Sequence, residues 1–186
     1  MVNRISILSI ILLLFGLGLQ AQPIYKLKSS KINFFAGTPV EDIDGNNTNS
    51  ISFINLKTGE VTISIPVKQF KFKRALMEEH FNENYLESDK YPECVFKGKI
   101  AGIEKLDLNA KEPFKTTITG NLTLHGVTKE RTIDVTILPK GGTLVGDSKF
   151  IIALADHKID RPQIVWEKLA ENVQVTTNFT YEPLQK

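Results

Sequence analysis

From residue 24 onward the chain is dominated by alternation of apolar and polar positions. Val61, Ile63, Ile65 and Val67 alternate strictly with Thr62, Ser64, Pro66 and Lys68. That period of two marks a strand with one buried and one wet face. The same period runs through 93–103 (Cys94, Phe96, Gly98, Ile100) and through 114–124 (Phe114, Thr116, Ile118, Gly120, Leu122, Leu124). It continues in 129–138 (Ile133, Val135, Ile137), in 143–154 (Leu144, Ser148, Phe150, Ile152, Leu154) and in 173–181 (Val173, Val175, Thr177, Phe179, Tyr181). Residues 24–36 alternate too, with Tyr25 and Leu27 followed by Ile32, Phe34 and Ala36. The phase slips near Ser29 and Ser30, as a β-bulge would make it slip. A short strand at 51–56 and a longer one at 60–70 complete a set of about eight. Turn signals separate them at Thr58-Gly59, at His125-Gly126 and at 139–142. The polar run 41–49, with Asp44-Gly45-Asn46-Asn47, and the stretch 106–113 read as loops.

One stretch breaks the pattern. Met77, Phe81 and Tyr85 recur at i, i+4 and i+8, with Leu76 and His80 beside them. This is a single apolar stripe on an amphipathic helix. Pro92 ends it, and Val95-Phe96 opens the next strand. Eight strands of mostly ten residues or more, each with one apolar face, predict an all-β sandwich or barrel. With only one helix to cover those faces, a closed barrel is the main way to bury them, and closure also removes unpaired edges. No internal repeat or low-complexity segment interrupts the pattern.

Two motifs carry a resemblance. Ala75-Leu-Met-Glu-Glu-His-Phe81 leads into Tyr85-Leu-Glu-Ser-Asp-Lys-Tyr-Pro-Glu-Cys-Val-Phe-Lys-Gly98, and Ile118-Thr-Gly-Asn-Leu-Thr-Leu-His-Gly-Val-Thr-Lys129 follows downstream. The pair resembles the hallmark of the YceI-like family, over most of 24–183. The resemblance implies an eight-stranded antiparallel lipocalin-like β-barrel, with one amphipathic helix and a long loop before the last strand. It also implies a secreted bacterial protein that binds polyisoprenoid lipid.

The length of 186 residues suits one domain, and a net charge of +2 gives no electrostatic case for a nucleic-acid partner. Arg4 precedes an apolar run over 5–19. That run has the length of a signal-peptide core and is short for a membrane span. The expected division is therefore a signal peptide over 1–21 and a β-barrel domain over 22–186. Periplasmic or secreted localisation follows, with no stable membrane insertion after cleavage. Cys94 is the only cysteine, so no internal disulfide forms. Its alternation with Phe96 predicts a small buried hydrophobe.

Motifs for catalysis are missing. His80, His125 and His157 show no metal-ligand spacing. The sequence holds no Gly-x-Ser-x-Gly elbow, phosphate loop or dinucleotide fingerprint. Three Asn-x-Thr triplets, at Asn46, Asn121 and Asn178, follow from the Thr-rich strands. The connection 156–172 is long for a compact β-protein and holds the only tryptophan, Trp166, with Pro162, Ile164, Val165 and Leu169. Loops of this length are often lids; a core plug is the alternative for Trp166.

The reading is a binding protein, not an enzyme, with no cofactor and no metal. A barrel wall of Ile63, Ile65, Phe96, Ile100, Ile118, Leu122, Ile133, Val135, Phe150, Ile152, Val175 and Phe179 would enclose one long apolar lipid. By resemblance that lipid is a polyisoprenoid or an isoprenoid quinone. Phe81 of the helix stripe and Trp166 of the loop join the expected ligand contacts. His80, Tyr85 and Asp156 are candidates to orient a head group at the mouth; for His80 the favoured alternative is a hydrogen bond at the helix–barrel contact. The rival is a structural, adhesion or stress-response β-module with a filled interior. Gly98, Gly120, Ser148 and Ala153 on inferred inner faces argue for space inside. A homodimer is left open.

Overall fold

A computed structural model describes residues 24–37, 42–160 and 170–184. The candidate signal segment, Trp166 and its neighbours Pro162, Ile164, Val165 and Leu169 lie outside these. Ten strands form one antiparallel sheet: β1 (Ile24–Gly37), β2 (Asp42–Asn47), β3 (Ile51–Asn55), β4 (Glu60–Pro66), β5 (Lys71–Phe72), β6 (Glu93–Ile100), β7 (Phe114–Leu124), β8 (Val127–Lys140), β9 (Thr143–Ala153) and β10 (Asn172–Pro183). The order β1-β3-β4-β6-β7-β8-β9-β10 closes on itself because β10 also pairs with β1. The result is an eight-stranded antiparallel barrel, as the alternation predicts. At one end β2 and β5 prolong the β3 and β4 walls.

The inward rows are the apolar rows of the sequence. Val61, Cys94, Phe96, Ile100, Leu122, Ile133, Val135, Ile137, Leu144, Ile152, Val173, Val175 and Phe179 are all buried. The slip in β1 is a bulge at Lys28, where the partners jump from Leu27↔Tyr181 to Ser29↔Thr180. It restores Ile32, buried at 2% exposure, to the inner face.

Three stretches differ from the sequence reading. The polar run 41–49 is not a loop, since Asp42–Asn47 forms β2 against β1. Cross-strand pairing overrides its weak β propensity. The Asn33 amide donates to the Asp44 carboxylate and to Asn46 Oδ1 (3.2 Å), so these polar side chains satisfy one another. Gly45 sits opposite Phe34, whose ring occupies the space a Cβ would need. The strand begun at 60 stops at Pro66, and Val67–Gln69 makes a 3₁₀ turn that buries Val67. The strand from 93 stops at Ile100, and Ile103–Lys105 turns inward with Ile103 buried.

Gly98 and Gly120 do not supply interior space. They are cross-strand partners, and a Cβ on Gly120 would lie 2.3 Å from both Gly98 Cα and the Lys97 carbonyl. The missing side chains let β6 and β7 approach closely where the wall curves. Ala153 does not line the interior either, because its neighbour Ile152 takes the inward position. Ser148 does line it.

The helix α1 (Ala75–His80) continues into a π turn at Phe81–Tyr85. The π turn is closed by the Leu86 N–H to the Phe81 carbonyl at 2.9 Å. Glu87 then ends the helix with φ 43°. Phe81 is buried and Met77 and Tyr85 are half-buried, so the stripe faces the barrel. Leu76, 61% exposed, and His80 face water.

Candidate functional site

The inward rows enclose a bore lined almost wholly by carbon. The space open to the centre of a water-sized sphere is about 220 Å³, and all empty space between atoms, mouth included, is about 1670 Å³. A dry apolar cavity of about 150 Å³ already admits benzene. All twelve predicted wall residues, from Ile63 to Phe179, line the bore, and so do Phe81 and Tyr85. His80 does not. It sits on the exposed side of α1, neither at a helix–barrel contact nor in the bore. Ile63, Ile65, Ile118 and Phe150 point inward within their strands yet are only half-buried. In a filled core such positions would be sealed. Their residual exposure is the inner surface of a hollow tube.

Few polar groups interrupt this surface. Ser148 Oγ and Thr177 Oγ1 share a hydrogen bond of 2.7 Å on adjacent inward positions of β9 and β10. Next to them in the inward row, Gly146 has nothing within 4 Å of the place a Cβ would take. Asp147 turns its carboxylate away, accepting from the Asn178 amide at 2.7 Å among exposed side chains. Deeper in, the Tyr181 hydroxyl meets Ser52 Oγ at 2.9 Å, and burial pushes its pKa up to about 12. Burial also pushes the Cys94 thiol up to about 12, so it stays protonated and unreactive. Among the described residues no cluster of His, Cys, Asp and Glu could hold a metal ion.

The helix is fastened by aromatic packing. Phe34, Phe70, Phe72 and Phe81 form one cluster, with Phe81 centroids 5.0–5.4 Å from the other three. Phe34 and Phe81 stack at 15°, and Phe34 meets Phe70 edge-on at 5.5 Å. β1, the Val67–Gln69 turn, β5 and the π turn each bring a ring to this point. Every ring of the cluster lines the bore.

Beside the helix lies a polar chain that sequence spacing did not reveal. His125 Nε2 shares a hydrogen bond of 2.7 Å with the Glu87 carboxyl, and His125 Nδ1 lies 3.1 Å from the His157 carbonyl. The His125 hydrogen bond holds the Glu87 carboxyl below the usual carboxylate range. His157 is fully buried in the 3₁₀ turn Leu154–His157, and its Nδ1–H donates to the Val127 carbonyl at 3.1 Å. Burial lowers the His157 pKa, favouring the neutral ring. Asp156, exposed, accepts from Arg131 at 2.9 Å and does not enter the bore. Glu87, His125 and Lys158 are the non-glycine residues of positive φ among the described residues, and all three fall in or beside this chain. No spacing rule joins positions 87, 125 and 157, because only the side-by-side packing of β6 to β9 brings their turns together.

The chain can be set beside known proteins. It matches the model of the YceI-like domain over residues 25–181. It matches no curated protein sequence. Among solved structures it resembles a polyisoprenoid binding domain from Saccharophagus degradans, implicated in plant cell wall breakdown. That likeness has a TM-score of 0.75 at 16% identity, covering 86% of this chain and 98% of that one. BcnA of Burkholderia cenocepacia superposes with a TM-score of 0.68 at 18% identity over 81% of this chain and 95% of its own. The YCEI protein of Campylobacter jejuni follows with 0.53 at 16% identity over 74% and 81%. At these identities the structures share a fold. The family match over nearly all of the described barrel makes this chain a member of the YceI-like domain family.

Proposed function

We propose that this protein is an exported, non-enzymatic carrier that holds one long apolar lipid, of polyisoprenoid or isoprenoid-quinone type, inside the barrel. The hollow carbon-lined bore carries the reading. Apolar surface moved from water into it gains roughly 25 cal/mol per Å², and the preformed tube shields the chain from the aqueous compartment it crosses. A ligand would meet the aliphatic and aromatic wall and a few hydroxyls, with no histidine or carboxylate side chain directed at it. Such a site binds and supplies no acid–base pair. The family membership and the relative described as polyisoprenoid binding support the lipid class. The half-exposed inward residues speak against a filled structural module. Export rests on Arg4 and the apolar run 5–19.

Native mass spectrometry with solvent extraction, on protein purified from its own cells, tests this. The expected result is one isoprenoid lipid per barrel, and an empty barrel with no extractable isoprenoid contradicts the reading. N-terminal sequencing should begin near Gln22; an intact Met1 with membrane retention contradicts export.

A further inference from the structure

The barrel wall is split along one seam. Between β8 and β9 the ladder runs from Lys140↔Thr143 to Val135↔Ser148 and stops there. Both strands continue, β8 back to Val127 and β9 on to Ala153. Each stays paired with its other neighbour, β8 with β7 as far as Leu124↔Val127 and β9 with β10 as far as Asn172↔Ala153. Residues 127–134 and 149–153 therefore part from each other while held on their far sides. Ile133, Phe150 and Ile152 line the bore where the wall opens.

The stretch 154–160 covers the split. Its Leu154 and Ile159 are buried and line the bore, and the turn closes on itself through Ile159 N–H to the Leu154 carbonyl at 3.1 Å. Side chains tie it to the β7–β8 hairpin: Arg131 to Asp156, His157 to the Val127 carbonyl, and the His125 ring with the His157 carbonyl.

We propose that this seam is a lateral portal through which the apolar chain enters and leaves the bore, with the turn 154–160 as its door. The inference rests on the lipid-binding reading above. Parting two paired strands breaks a long row of backbone hydrogen bonds together, whereas lifting this turn breaks three side-chain bonds and the single Leu154 N–H bond to the Glu171 carbonyl (3.0 Å), and exposes Leu154, His157 and Ile159. The other cover, the helix, is fastened by four interlocked rings. A sideways route also lets a long chain slide in along its length, with no need to thread end-first.

The test is a staple across the seam. Continuing the β8–β9 register sets residue 132 opposite 151, and both Thr132 and Ile151 are exposed. The double variant Thr132→Cys, Ile151→Cys is bridged with a short bis-maleimide, which the buried Cys94 does not reach. The control is Thr119→Cys, Thr132→Cys, cross-strand partners in the intact β7–β8 ladder. Stopped-flow uptake and release of a fluorescent farnesyl probe are followed before and after bridging. The portal predicts that the seam staple slows both by an order of magnitude or more, as a locked gate does, and that the control staple changes neither. Probe loaded before stapling should remain trapped. Uptake at the unstapled rate through a stapled seam overturns the portal and leaves lipid binding standing. Failure of the unstapled protein to take up any isoprenoid overturns both. A second variant, Asp156→Asn, should speed release several-fold; an unchanged release rate contradicts the door.

Discussion

Two pieces of chain cover the same end of this barrel by opposite means. The helical cap is built into the core. Phe81 inserts among Phe34, Phe70 and Phe72, and rings from four elements interlock. The turn at Leu154–His157 buries Leu154 and His157 but is tied to the wall by polar contacts. Arg131, His157 and His125 tie it to the β7–β8 hairpin through three polar contacts. Apolar packing is non-directional and cumulative, so a cap held that way comes off only with much of the core. Polar contacts this few can be broken one at a time, and the partly wet Arg131–Asp156 pair is weak on its own. A carrier that must both seal and open can use one cover of each kind.

The largest effect should come from breaking the first cover. Phe81→Ala, truncating a ring 9% exposed, should cost about 3–5 kcal/mol, in the range of buried aromatic truncations. Chemical denaturation measures it, and stability within error of wild type would mean the stripe does not pack on the barrel. The next effect is acid sensitivity of the second cover. The folded-state pKa of His157 lies below its ordinary value of 6.5 because the ring is buried. The unfolded chain therefore binds the proton more readily. Stability from this group is present above 6.5 and is lost as pH falls below it through the lowered folded value. Hydrogen exchange, corrected for its intrinsic pH dependence, should show the 154–160 amides loosening over that window while the Phe81–Tyr85 turn holds. Equal loosening of both would erase the distinction.

Smaller still is the latch itself. Asp156→Asn removes an ion pair whose carboxylate side chain is 46% exposed, and should cost no more than about 1 kcal/mol of global stability. A loss as large as that of Phe81→Ala would make the turn part of the core. His80→Ala, on the exposed face of α1, should fall within about 0.5 kcal/mol of wild type, as surface changes do. A larger loss in the same denaturation series would require His80 to hold the cap.

The wall of the bore was legible in the sequence because alternation on a strand has only two answers. Once Ile118, Leu122, Ile133 and Val135 are assigned to one face, closure of the barrel decides where that face points. The bulge at Lys28 was legible as a slip of phase. β2 was not, because Asp44-Gly45-Asn46-Asn47 carries turn chemistry that only its pairing with β1 overrides. Gly98 and Gly120 could mean space or close approach, and the choice depends on a cross-strand partner that spacing cannot supply. His80 stood beside the stripe in helical projection, and one position of rotation puts it in water. The latch joins turns distant in sequence, and the seam is an interruption between two strands that each read as continuous. Interactions between elements were hidden, whereas patterns within one were plain.

The most direct test of the central claim is a binding series of isoprenoids from two to twelve units at fixed head group, a range set to bracket the bore length. Strands of 11 and 12 residues, as in β9 and β10, span roughly 36–40 Å at about 3.3 Å per residue. A barrel tilt of about 40° shortens the axial run to roughly 28–30 Å. An extended isoprene unit is about 4–5 Å long by bond geometry. A chain held inside should gain affinity with every added unit and level off near about six or seven units, where the tube is full. The plateau should come earlier in Ile152→Trp, which narrows the bore. Affinity indifferent to chain length, or a plateau unmoved by the tryptophan, would mean that the lipid does not lie in this bore.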